Sequence, residues 1–191
     1  MKRVIFTAAV VQILSCATMD LYFRENALRN RPVAILIGHL ESRSVTYRPY
    51  AAANFRDSLR FEFFRHGFRS EFPENDEPAP RENVPSGATE NPDQGKTRRK
   101  KAALTVPTRE TVAALCAENS ADVFICGSFS ESETGDYADT RTTTLVTLLV
   151  YERSGEKVGE VRYLCGDTMA DASVAKTVAG KLAGAIIARF P

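Results

Sequence analysis

Apolar positions along this 191-residue chain follow two rhythms, and the switches between them mark its elements. Val33–Leu40 is an almost unbroken apolar run closed by polar residues, the pattern of a strand covered on both faces. Residues 47–68, "YRPYAAANFRDSLRFEFFRHGF", then change to helical spacing. Phe55, Leu59 and Phe63 recur every four residues, which predicts a helix laying that stripe on a sheet. Pro49 suits its first turn and Gly67 its end. Phe61, Phe64 and Phe68 fall on another side of the same helix, and Phe68–Phe72 reads as the start of a second strand.

The second half repeats the alternation. Thr108 is placed to cap a helix whose inner face carries Val112, Leu115 and Cys116. Val123–Ser130 is the next strand, with Gly127 inside it, where a bulge or a close approach is expected. After the loop "SETGDYADT" comes a long strand, Thr140–Tyr151, and a turn at Ser154-Gly155 that returns the chain as Val158–Cys165. Asp167 or Thr168 is expected to cap a last helix over about Met169–Arg189. Its apolar stripe is Val174, Val178, Leu182, Ile186 and Phe190, and Gly180 and Gly184 are expected to let it press on the sheet. The order is β-α-β-α-β-β-β-α, which predicts an α/β (α+β) fold: one sandwich of a mixed sheet with helices.

Composition interrupts this order at residues 73–107, where six prolines stand among polar residues and few aliphatic ones. Such a stretch buries too little apolar surface to offset the entropy of ordering it, so a long disordered internal loop is expected. Its basic run, Lys96, Arg98, Arg99, Lys100 and Lys101, is a candidate contact for an anionic surface, with a solvated loop as the plain alternative.

The chain begins differently. Lys2 and Arg3 precede a charge-free stretch, Val4–Leu14, that ends in Ser15, Cys16 and Ala17. A basic start, an apolar core of about 7–15 residues and a small-residue cut site make a secretion signal. The stretch is short of the roughly 20 apolar residues that span a bilayer. Ile13-Leu14-Ser15-Cys16 resembles the lipobox of bacterial lipoproteins, although Leu14 stands where that family usually has a smaller residue. The resemblance implies removal of residues 1–15, acylation of Cys16 and attachment to a membrane, and Ala17 after the Cys points to the outer membrane over the inner one. The alternative is a buried first strand with Cys16 as a small hydrophobe. Residues 16–31 are then expected to be a polar tether, about fifteen residues long, ahead of a globular domain at 32–191. At 3.3–3.6 Å per residue, that tether keeps the domain within roughly 50 Å of its membrane.

Charge and cysteines narrow the function classes. Loss of Lys2 and Arg3 leaves 23 basic against 24 acidic residues, so no overall charge draws the chain to nucleic acid. Cys116, Cys126 and Cys165 lack metal-like spacing and sit among apolar neighbours, so buried free thiols are expected. A Cys126–Cys165 bridge is the alternative if their strands are neighbours. Neither a metal nor a cofactor is called for. The acidic group Glu131, Glu133, Asp136 and Asp139 could hold Ca²⁺ but reads more plainly as a solvated loop. His39, with Glu41, Ser42 and Arg43, forms a polar strand end that could be a ligand or catalytic site. His66 reads as a cation at a helix end. No nucleophile elbow, paired His ligands or phosphate loop accompanies them.

The element order has a second resemblance. The first strand, the helix ending His66-Gly67-Phe68, the strand Ala121–Phe129 with Asp122 and Gly127, and the hairpin Val150–Val161 with Gly155 together resemble the domain shared by LpoB, CsgG and the amino-terminal part of TolB. Glu152 departs from the Asp frequent in that group. The resemblance covers roughly residues 32–190 apart from the polar insert. It implies an envelope protein that binds or assembles with others and is not an enzyme. Arg48, Phe61, Phe64 and Phe68 are the candidate partner contacts. The readings carried forward are a lipid-anchored, periplasm-facing protein-binding module in cell-wall synthesis or envelope assembly, a ligand-binding or enzymatic lipoprotein using His39–Arg43, and a structural surface lipoprotein.

Overall fold

A computed structural model describes residues 17–24, 30–42, 49–73, 106–135 and 141–191. The elements are β1 (Thr18–Phe23), β2 (Ala34–Ser42), α1 (Pro49–Arg65), β3 (Arg69–Glu71), α2 (Arg109–Glu118), β4 (Val123–Thr134), β5 (Arg141–Glu152), β6 (Lys157–Cys165) and α3 (Ala172–Ile187). The strands form one mixed sheet in the order β1-β6-β5-β4-β2-β3. Pairing is parallel at β3–β2–β4 and antiparallel at β4–β5–β6–β1. The expected α+β class and element order are found, with one strand added in front.

Alternation along each strand divides the apolar residues between the two faces. Ile35, Ile37, Val123, Ile125, Phe129, Val146, Leu148, Val150 and Val161 meet α1 and α3 on one face. Phe55, Leu59 and Phe63, the predicted stripe, are fully buried there, as are Val178, Leu182 and Ile186 of α3. A smaller core on the other face joins Leu36, Phe124, Cys126, Leu149 and Tyr151 to Val112 and Cys116 of α2. Thr108 caps α2 by accepting from the Thr111 amide, as expected.

Four details differ from expectation. The supposed tether contains β1, whose residues Thr18–Phe23 pair antiparallel with Leu164–Gly159. β4 runs to Thr134, beyond the expected Ser130, because its polar end is paired with Thr142–Thr144 of β5. α3 starts at Ala172 under an Asp171 cap, because Asp167 and Thr168 belong to the preceding turn. Gly180 faces the Glu62 side chain of α1, not the sheet, and a Cβ on Gly184 would meet no other element within 4 Å among the described residues.

Two glycines are required by their surroundings. A Cβ on Gly127 would lie 2.0 Å from the Thr147 carbonyl oxygen of β5. Gly155 has φ +78° in the β5–β6 turn, and a Cβ there would meet the Arg109 carbonyl at 2.0 Å.

Candidate functional site

The largest exposed aromatic side chains on a helix belong to α1. Its inward stripe occupies one side, so Phe61 and Phe64 project elsewhere and are 54% and 70% exposed. Arg60 and Arg65 beside them are exposed too. Glu62, between them in sequence, is buried and meets Arg65 at 3.5 Å. Arg56 and Arg60 cover the Phe72 ring, their guanidinium carbons 4.1 and 4.9 Å from its centroid. Arg56 also donates to the Ile37 carbonyl, from Nε at 3.3 Å and Nη2 at 3.0 Å. That carbonyl lies where the β2–β4 register shifts. Aromatic residues, phenylalanine included, and arginine are enriched in protein interfaces relative to the rest of the surface.

Phe68 does not join this group. It is 3% exposed, packed edge-on against Phe63 and Phe190 at 6.4 and 5.6 Å, with the Arg31 guanidinium 5.3 Å above its ring. Its place after Gly67, which has φ +86°, turns it back under the helix and removes it from the candidate contacts. Arg48, Cys16 and the run Lys96, Arg98, Arg99, Lys100 and Lys101 lie outside the described residues.

The polar strand end is only partly assembled. His39 is exposed, Glu41 and Ser42 are half-buried, and Arg43 lies outside the described residues. A pocket of about 300 Å³ sits elsewhere, lined by Asp20, Leu21, Tyr22, Glu160 and Arg162. Glu160 there accepts from Lys157 at 2.5 Å and Arg162 at 2.7 Å, and the Lys157 hydrogen bond foremost holds its carboxyl below the usual range.

Glu131 has a role its sequence neighbours do not announce. It is buried and accepts from the Met169 amide at 2.6 Å, Thr168 Oγ1 at 2.9 Å and Thr144 Oγ1 at 3.4 Å, tying β4 to the turn before α3. Its expected partners Asp136 and Asp139 lie outside the described residues, and among those described no three metal-ligating side chains cluster. Asp122 works similarly: its Oδ2 accepts from the amides of Val33 and Ala34 at 2.8 and 3.0 Å, joining the starts of β2 and β4.

Cys116, Cys126 and Cys165 are buried free thiols. β5 separates β4 from β6, and Cys126 and Cys165 lie in the cores of opposite sheet faces, so the bridge between them does not form. Burial pushes the Cys116 thiol up to about 11 and raises Cys165 as well. It also pushes the Tyr151 hydroxyl, which has no hydrogen-bond partner, up to about 12. No described helix is long and apolar enough to cross a membrane.

A mixed six-stranded sheet with two helices on one face and one on the other is an arrangement found in solved proteins. The chain is similar to the PelC dodecamer from Paraburkholderia phytofirmans, at 14% identity and a TM-score of 0.55 over 87% of this chain and 94% of that one. It is also similar to lipoprotein GNA1162 from Neisseria meningitidis, at 12% identity and a TM-score of 0.48 over 81% and 98%. The LpoB C-terminal domain from Salmonella enterica is a further similar structure, at 10% identity and a TM-score of 0.36 over 72% and 85%. At these identities the likeness shows the fold alone. No protein-family model and no curated protein matches the chain.

Proposed function

We propose that this chain is a lipid-anchored protein of the bacterial cell envelope whose folded domain binds another protein, without catalysis, in cell-wall synthesis or envelope assembly. The lipobox-like segment ending at Cys16 supports the anchor, and Ala17 favours the outer membrane. The observation that carries the binding reading is the open Phe61–Phe64 pair, at 54% and 70% exposure. Contiguous apolar surface left uncovered and rimmed by polar groups is a mark of interaction sites. Arg60 and Arg65 fit a partner with carboxylates around an apolar centre.

Photo-crosslinking in cells from position 64, compared with position 22, tests this. Tyr22 is equally exposed, at 71%, but stands on the sheet edge. A discrete adduct from 64 and none from 22 is expected, and its loss on Phe61→Ala supports the pair as the contact. No adduct from 64 contradicts the reading.

A second reading makes the partner another copy of the chain. The protein sharing this fold at a TM-score of 0.55 is a dodecamer, and β1 and β3 are the two outer strands of the sheet. Intact mass of the detergent-solubilised full chain decides: a discrete multimer supports this reading, and a monomer at micromolar concentration contradicts it.

A further inference from the structure

β1 determines which end of the domain can meet a membrane. Thr18 pairs with Leu164, Leu164 with Leu145, and Thr144 with Glu131, so these residues lie toward one end of the sheet, beyond which β4 and β5 continue as a pair to Thr134 and Arg141. Phe23 pairs with Gly159, and Val123 with Glu152 and Ile35, which mark the other. β2 reaches the Thr18 end at Ser42, opposite Phe129, and α1 then returns the chain to Arg69 beside Ala34 at the far end. α3 leaves the Thr18 end after Cys165 and finishes at the far end, where Phe190 packs on Phe68 at 5.6 Å. Both long helices therefore begin at the Thr18 end and finish away from it.

Cys16 stands two residues before Thr18. Two residues span at most about 7 Å. Ala17, between them, is half-buried against the core of the α1–α3 face, so this short link is not free to pay out. A long tether would leave the domain's orientation open, whereas a link this short does not.

We infer that the bilayer lies on the side of the domain toward which Ala17, Thr18, Tyr50, the Asp171 cap and the extended β4–β5 pair all face, and that the carboxyl-terminal end of α1, with Phe64, stands away from it. This rests on the acylation of Cys16 proposed above. Met19, Tyr50, Leu145 and Leu164, 39%, 53%, 38% and 38% exposed, are among the apolar side chains near that end. Tyrosine is a side chain suited to the level of lipid headgroups. Tyr50 and Phe64 are fourteen positions apart on one helix, roughly 20 Å at 1.5 Å per residue. The aromatic pair is thereby left to the aqueous side, where a partner can reach it.

The chain contains no tryptophan, so one introduced residue is an unambiguous fluorescent reporter. Full-length protein purified from membranes, carrying Tyr50→Trp or Phe64→Trp, is reconstituted on phosphatidylethanolamine–phosphatidylglycerol vesicles containing a dansyl-headgroup lipid. Both positions are exposed, so both variants retain the core. Energy transfer from position 50 is expected to be at least twice that from position 64. Acylated protein, verified by its amino-terminal mass, that gives equal or greater transfer from 64 overturns the orientation alone. Protein that begins at Met1 and washes off the vesicles overturns the acylation and the orientation together.

Discussion

Single side chains hold together parts of the chain that are far apart in sequence. Asp122 spans 88 and 89 residues to the Ala34 and Val33 amides. Asp122→Ala leaves both amides without that acceptor, and a loss of about 1–3 kcal/mol is expected in urea unfolding. Gly127 and Gly155 were legible in the sequence because each sits in a short local pattern, whereas Asp122 stood out only in the family resemblance, without its partners. Glu131 was not: its partners Thr168 and Met169 lie 37 and 38 residues ahead, and its neighbours read as an acidic loop. The buried thiols make a further prediction. All three should resist a maleimide at neutral pH and label once the chain is unfolded. Cys116 and Tyr151 are held protonated by burial, so the native state contributes stability below the ordinary values of 9.0 and 10.0 that is lost as pH rises toward about 11 and 12. A melting temperature that falls over this alkaline window is expected, with Tyr151→Phe flattening the fall.

At the scale of elements, periodicity revealed α1, α2, α3 and the β4–β6 meander because long runs repeat it. β1 was missed although its alternation is present: Ala17, Met19, Leu21 and Phe23 share one side, and Thr18, Asp20 and Tyr22 the other. Six residues beside a secretion-like segment read as polar linker, and only the pairing with β6 shows the strand. Leu21→Asp is expected to free β1 and speed amide exchange over Thr18–Phe23 while β4 and β5 remain protected. The two sides of α1 separate as sharply. Phe68→Ala and Phe55→Ala should each cost about 3–5 kcal/mol, whereas Phe64→Ala should stay within about 0.5 kcal/mol. The cap of α3 adds a pH signature. The Ser173 side-chain hydrogen bond, then its amide, hold Asp171 below its ordinary value of 3.8. Its contribution is present above that value and is lost as pH falls through the lower folded one. Asp171→Ala should therefore lower the Tm at neutral pH, with the difference from the parent shrinking as acid is added below 3.8.

For the whole molecule, the sheet and its two cores follow from patterning, while the proposed partner face follows from what the cores leave uncovered. Three phenylalanines were expected to face a partner, and sequence spacing alone could not show that the Gly67 turn would fold Phe68 back against Phe190. β1 shortens the expected fifteen-residue link from Cys16 to a two-residue one, so that, under the proposed acylation, a loosely tethered domain becomes an oriented one. All of this depends on the amino terminus. The intact mass of the chain recovered from the membrane fraction tests it most directly, with a Cys16→Ala variant beside it. The account predicts a chain that begins at an acylated Cys16, and a variant that leaves the membrane. A chain that begins at Met1 without acyl groups, or a variant that stays membrane-bound, would contradict it.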